Sequence, residues 1–385
     1  MKIQYVEIDG LNGSKEFIRL DFNNDLNIIT GRNGAGKTTI LKLIWYIVSG
    51  NISFAIREIN FRKIKLKTTD YSCIISRTTR NNCSLYLEVN EQDPIEIDDW
   101  VIDEEDEDEA LEFLVTQLKN IADKKDIQQE NPNSILSKHG GSLFLPTFRR
   151  IEGGVQAKRK NIRAGMSSSR RLEVSLMELS DMLTNRNHQF VASLGTIDIE
   201  RFLRDKNAEL VEEVTTLQNL SNLNMSEKLK ELQKETNTEK VQEELKKIHT
   251  MMAKSEQRRV DIMKPLEVAR QYILDILKIS GIKIGNLTFG SAVETINSNL
   301  LSAGEKQMLS FLAYNAFYQD TIFIIDEPEL SLHVDWQRIL FPTLMRQNSS
   351  NQFIIATHSP FIYNKYPDKE LVLSSHKGDG CLQND

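Results

Sequence analysis

Cysteine is scarce in this chain of 385 residues. Cys73, Cys83 and Cys381 stand apart with no C-x-x-C pair, which excludes a zinc ribbon and a disulfide framework and fits a reducing compartment. No run approaches the roughly 18 uninterrupted apolar residues of a membrane span. The first residues, Met1-Lys2-Ile3-Gln4-Tyr5-Val6, read as a strand rather than as a basic, then apolar, leader. A cytoplasmic chain without a membrane partner is therefore expected. His139, His188, His249 and His376 lack metal-ligand spacing and read as surface or core residues. The absence of any repeat with a period of roughly 20 to 50 residues excludes a solenoid. Proline is missing between Arg171 and Lys278 except for Pro265, and glycine is rare there. That stretch is rich in Leu, Glu, Lys and Gln, the composition of long helices.

What is present is a globular composition, 40% hydrophobic and 27% charged, in a chain long enough to bury a substantial core. The net charge of −7 excludes little, because the charge is segregated along the chain. Residues 2–9, 17–22 and 26–30 read as strands leading into a glycine-rich loop. Thr38 to Val48 is apolar at helical spacing. Residues 61–68, 72–78 and 83–89 read as strands of a flanking antiparallel sheet. Acidic residues dominate from Asp98 to Glu109, and Asp103 to Glu109 is unbroken. So many like charges predict a solvated segment, with docking of a basic partner as the sharper alternative. Between Arg149 and Arg171 the balance reverses: Arg149, Arg150, Lys158, Arg159, Lys160, Arg163, Arg170 and Arg171 face Glu152 alone. A solvated loop, a contact with nucleic-acid phosphates and a γ-phosphate or partner contact by Arg149 and Arg150 all fit that segment. Asn219 to Asn224 and the Asn237 region interrupt the helical pattern, which predicts a helical hairpin of modest length for packing or oligomerisation rather than a long coiled-coil arm.

Four motifs carry the chemistry. Gly31-Arg32-Asn33-Gly34-Ala35-Gly36-Lys37-Thr38-Thr39 contains G-x-x-x-x-G-K-[ST], a loop whose backbone N–H groups and following helix N-terminus cradle phosphates. Lys37 is expected to neutralise β- and γ-phosphate charge, and the Thr38 hydroxyl to ligate magnesium. Ile322-Phe323-Ile324-Ile325-Asp326-Glu327 is an apolar run ending in two carboxylates, as in a buried strand that opens into a site. Asp326 is assigned to magnesium, and Glu327 to the general base that polarises the attacking water. His358 follows the apolar run Phe353 to Ala356 and is assigned to the γ-phosphate as a switch.

Leu301-Ser302-Ala303-Gly304-Glu305 opens an amphipathic helix, 307–317. Ser302 and Glu305 have the spacing of a capping box, and the same Ser302 hydroxyl, Gly304 backbone and helix N-terminus can bind a phosphate presented from outside. These residues lie too close in sequence to Asp326 to form a second site, so their ligand is expected to be a partner's ATP. The cofactors implied are ATP and Mg2+.

Together these motifs resemble the ABC-type ATPase head, with Leu301 to Gln307 as its signature. The resemblance implies an α/β head, with a mixed P-loop sheet and an antiparallel β subdomain, interrupted by a helical or coiled-coil insertion. The implied division is 1–150 for the N-terminal half of the head, 151–280 for the basic loop and insertion, and 281–385 for the C-terminal half. Asp326-Glu327-Pro328-Glu329-Leu330-Ser331-Leu332-His333 is similar to the soluble branch containing RecF, SMC proteins and the OLD nucleases. The short insertion and the stretch Phe144 to Glu152 resemble the ATPases of bacterial anti-phage systems such as Septu PtuA and PARIS AriA. That resemblance implies an ATPase that dimerises or oligomerises around ATP, senses a phage trigger and controls a separate effector, a nuclease or toxin. A RecF- or SMC-like clamp on duplex DNA is the alternative. Two departures stand out: Thr147 occupies the place where the resemblance leads one to look for a glutamine, and no Toprim-like acidic cluster follows His358.

Overall fold

The computed structural model describes residues 1–79, 82–90, 93–101, 131–147, 176, 178–192, 196–232, 238–279, 301–347 and 350–373. The acidic run Asp103 to Glu109, the basic stretch Arg149 to Arg171, the Asn237 region, His376 and Cys381 lie outside them.

The first half of the chain forms β1 (Ile3–Asp9), β2 (Phe17–Asp21), β3 (Leu26–Thr30), α1 (Lys37–Val48), α2 (Ile52–Glu58), β4 (Lys63–Thr68), β5 (Tyr71–Arg77), β6 (Asn82–Val89), β7 (Ile95–Val101), α3 (Pro132–Lys138) and β8 (Gly141–Leu145). The second half forms β9 (His188–Phe190), α4 (Thr196–Leu232), α5 (Thr238–Ile279), α6 (Ala303–Phe317), β10 (Thr321–Asp326), α7 (Val334–Arg346), β11 (Gln352–Ala356), α8 (Pro360–Tyr363) and β12 (Glu370–Val372).

Two sheets result. One runs β2-β1-β4-β5-β6-β7, and its neighbours pair antiparallel. The other runs β12-β3-β11-β10-β8-β9, with parallel pairings. Sequence pattern separates the two kinds. β4 and β6 alternate buried and wetter positions, as a strand with one face on a core must. β3, β8, β10 and β11 are buried at every residue, because layers cover both faces of the parallel sheet.

Alternate residues of those strands feed two cores. Ile322, Ile324 and Ile354 join α1 and the inner face of the antiparallel sheet, including Ile64, Leu66, Ile75, Leu85 and Leu87. Phe323, Ile325 and Phe353 join α6 and α7 on the other side. Trp45 of α1 stacks on Phe144 at 5.5 Å between ring centres. Gln352, fully buried, ties the sheets together: its Oε1 accepts from the Ile3 N–H at 2.8 Å, and its Nε2 donates to Ile3 O and Asn23 O, both at 2.8 Å. Cys73 and Cys83 are buried in the antiparallel sheet, and burial pushes their thiols up to about 12 and about 11.

The helical insertion departs from its sequence-based expectation in two ways. Asn219 to Asn224 does not interrupt anything: it lies within α4, which runs for 37 residues, and α5 runs for 42. At 1.5 Å per residue these helices are about 55 and 63 Å long, well beyond a modest hairpin. The asparagines are tolerated because the helix is held by its seam, the half-buried Leu210, Val214, Leu217, Ser221 and Met225 at spacings of three and four. The helices run antiparallel. Ile199 and Leu203 share a cluster with Ala269 and Ile273 at the base, and Leu217 lies beside Arg258 and Ile262 further out. The start of the insertion also moves, since β9 pairs with β8 and belongs to the parallel sheet. Residues 151–280 are therefore not all insertion.

Candidate active site

The C-terminal ends of β3, β8, β10 and β11 lie side by side, the end at which parallel sheets build ligand sites. β3 delivers the glycine loop, β8 delivers Thr147, β10 ends in Asp326 and Glu327, and β11 leads into His358. The loop turns through Gly34 at φ 83° and Gly36 at φ 90°, conformations that a Cβ strains. Gly36 is also the residue before α1, so the first amides of that helix open onto the loop.

Lys37, the first residue of α1, is 6% exposed. Its Nζ donates to Gly31 O at 3.0 Å and Arg32 O at 3.2 Å, and lies 2.7 Å from His358 Nε2. An ammonium only donates, so in this contact the Lys37 ammonium is the donor and the ring nitrogen the acceptor. Burial pushes the Lys37 pKa below its ordinary value, while Glu327, Asp326 and Glu329 oppose that shift. Asp326, 1% exposed, accepts at Oδ2 from the Thr38 hydroxyl at 2.8 Å and from the Thr147 hydroxyl.

Glu327 adopts φ 48°, which turns it away from the strand that holds Asp326. Its Oε1 is 3.9 Å from His358 Nε2, beyond hydrogen-bond reach. Burial raises the Glu327 pKa, with Glu329 and Asp326 adding to the rise and His358 and Lys37 opposing it. The structure therefore brings Lys37, Thr38, Asp326, Glu327 and His358 together. Arg32, Asn33, Gly34, Ala35 and Thr39 line or follow the loop, and the first three are exposed.

The signature residues join a different part of the structure. Ser302 caps α6 and forms the expected capping box with Glu305. Gly304 presses on the loop after β10, and a Cβ there would come within 2.5 Å of Ser331 O. Gln307, fully buried, donates to Pro328 O at 3.2 Å. The α6 N-terminus is thus built against the segment that follows Glu327.

Two site residues escape a motif reading. Thr147, noted only as a departure from a glutamine, places its hydroxyl on Asp326. Glu329 accepts from the His358 N–H at 2.8 Å. Position 147 had one signal, the end of a buried strand. Glu329 had none beyond its place two residues after Glu327.

A family model described as an AAA ATPase domain matches residues 1–363. The chain belongs to the AAA ATPase domain family. Within this ATPase domain the chain order is phosphate loop, helical insertion, signature, Asp-Glu strand and His358. The chain is 35% identical over 75 residues to endonuclease GajA of Bacillus cereus (strain VD045), covering 18% of this chain and 13% of that protein. It is 36% identical over 84 residues to Septu protein PtuA of Bacillus thuringiensis, covering 22% and 21%. It is 24% identical over 207 residues to the DNA replication and repair protein RecF of Bacillus mycoides (strain KBAB4), covering 53% and 45%. The matches span less than half the length of each of these relatives. A solved Smc head domain with an extended coiled coil, bound to the C-terminal domain of ScpA from Pyrococcus furiosus, aligns over 98% of this chain and 94% of its own at 12% identity and TM-score 0.37.

The residues of the ATPase domain fit a magnesium nucleotide. Among the described residues no three His, Cys, Asp or Glu side chains are grouped to hold a metal. Magnesium in a phosphate site needs only one or two carboxylates, with phosphate and water oxygens completing its shell. One buried carboxylate bonded to the two hydroxyls of Thr38 and Thr147, beside a lysine ammonium and a helix N-terminus, is that kind of donor set. Among the described residues no helix is long and apolar enough to cross a membrane.

Proposed function

We propose that this chain is a slow, regulatory ATPase that closes on ATP as a dimer, or as a larger oligomer, and controls a separate effector protein, a nuclease or toxin, of an anti-phage system. The observation that carries the proposal is the convergence of Lys37, Thr38, Asp326, Glu327 and His358 at the C-terminal end of the parallel sheet, while Ser302 and Gly304 belong to a helix start packed against the segment Pro328 to Ser331 instead. In this reading Lys37 and the loop amides hold the triphosphate, and Thr38 and Asp326 hold the magnesium, which offsets phosphate charge when bound. Thr147 keeps the Asp326 carboxylate oriented from β8. Glu327 takes the proton of the attacking water, and His358 contacts the γ-phosphate. Ser302, Gly304 and Glu305 meet the nucleotide of a second copy, so two such sites form across a two-fold axis. The similarity to Septu PtuA and to GajA supports the defence setting.

Phosphate release by the purified chain with magnesium and ATP, followed by co-purification of the Glu327→Gln protein from its native cells, tests the proposal. Turnover that increases more than linearly with protein concentration, and recovery of one co-encoded effector, are the expected results. Failure to bind ATP would remove the proposal.

The similarity to RecF over 207 residues, covering 53% of the chain, favours a second reading, a clamp on duplex DNA. Salt-sensitive duplex binding that disappears when the basic residues from Arg149 to Arg171 are neutralised, with no dedicated protein recovered, would select it.

A further inference from the structure

β11 runs out of partner at Ala356. Asp326 pairs with it as the last residue of β10, the Glu327 N–H closes on Ala356 O at 2.8 Å, and the left-handed turn at Glu327 then carries the chain away. Thr357 faces the other neighbour, donating to Ile29 O at 3.2 Å. The next donor on the β10 side is the N–H of His358, where no strand is left to receive it. A half-buried amide in that position needs an acceptor. It finds one in a side chain: Glu329 Oε1, at 2.8 Å. Glu329 is itself anchored, because its carbonyl accepts from the Leu332 N–H at 2.9 Å within the turn after β10. Among the described residues its other carboxylate oxygen, which is buried, has no hydrogen-bond partner. A carboxylate held there, beside the acidic Asp326 and Glu327, works against its neighbours' charge, so the tether to His358 is the evident gain.

We infer that Glu329 is a positioning residue for His358: its carboxylate replaces the missing strand and fixes the backbone from which the imidazole reaches Lys37. The inference rests on the hydrolytic reading given above. Without the acceptor, the segment from Thr357 to Ser359 keeps its bond to β3 but loses its hold on the β10 side. The ring then no longer has one place 2.7 Å from Lys37 Nζ.

Two variants separate acceptor from charge. Glu329→Gln keeps an oxygen at the same reach and loses the charge, whereas Glu329→Ala loses both. In the full chain, amide hydrogen exchange at His358 without nucleotide and steady-state ATP turnover are the paired measurements. Glu329→Ala should exchange about tenfold faster and lose about tenfold in kcat, while its Kd for ATP stays within about twofold. Glu329→Gln should restore both quantities to within about threefold of the wild type. If Glu329→Ala does not fold, Glu329→Asp, one methylene shorter, should show the same fast exchange. Unchanged exchange in the alanine or aspartate variant would overturn the inference, as would a glutamine variant as impaired as alanine. A wild-type chain that binds ATP but never turns it over would remove the hydrolytic reading instead, and the exchange comparison would still decide whether Glu329 holds His358.

Discussion

At the end of the parallel sheet, Lys37, Thr38, Thr147, Asp326 and His358 meet across sequence separations of up to 321 residues, and Lys37 and Asp326 are out of water. Along α4 and α5, charges meet neighbours three or four residues away: Arg204 with Glu200, Lys206 with Glu209, Lys247 with Glu244, Arg259 with Glu256, Arg270 with Glu267. Burial raises the stakes of a polar contact, because a group stripped of water and left without its partner costs far more than the same group on a surface. The sheet end therefore concentrates its polar energy in a few contacts that only the folded chain can assemble. The arm spreads its energy thinly over a seam and many exposed pairs, each of which could be lost without consequence.

That contrast can be sharpened by substitution, starting where the effect should be largest. Glu327→Gln should lower ATP turnover about thousandfold, the loss expected when a general base is removed, while ATP still binds; phosphate-release assays check it. Lys37→Ala should weaken ATP binding by about a hundredfold or more, since a desolvated charge partner is lost, and titration with a fluorescent ATP analogue reads the change. His188, fully buried in β9 with Nδ1 2.8 Å from the Ser142 hydroxyl, has its pKa pushed down by burial to about 4. The folded chain refuses the proton that the unfolded chain accepts, so stability is intact above the ordinary value of about 6.5 and falls as pH drops toward 4. By pH 5 the loss should reach about 2 kcal/mol, and urea melts of the wild type and His188→Asn at pH 7 and pH 5 should show the slope and its removal. Gly304→Ala should cost about 1–3 kcal/mol, because the new methyl meets the Ser331 carbonyl; thermal melting measures it. Arg259→Ala on the arm should leave the melting temperature unchanged within error. A large drop for Arg259 with a small one for Gly304 would reverse the comparison.

Much of the sheet end was legible in the sequence because motif residues carry their local geometry with them. Gly34 and Gly36 announce left-handed turns, β3, β10 and β11 are apolar runs that only a doubly covered strand explains, and Ser302 with Glu305 spells a capping box that the structure contains. Thr147 and Glu329 were not legible. Their contacts join β8 to β10 and the β10 turn to β11, and nothing in the residues adjacent to them encodes a partner across strands. The arm misled for the opposite reason. Asparagine has a weak helix propensity, so Asn219 to Asn224 reads as a break, yet the seam residues Leu217, Ser221 and Met225 carry α4 straight through. β7 was hidden because the acidic segment expected from Asp98 overlaps it, whereas pairing with β6 makes an edge strand of Ile95–Val101.

The central claim is that one copy of the chain holds an incomplete ATP site and a second copy completes it. The most direct measurement is the solution mass of Glu327→Gln with magnesium and ATP, determined by light scattering during size exclusion. The account predicts a shift from the 44.2 kDa of one chain to twice that mass or a multiple of it, absent when Ser302 is replaced by arginine. A protein that binds ATP with full occupancy and remains at the mass of one chain would contradict it.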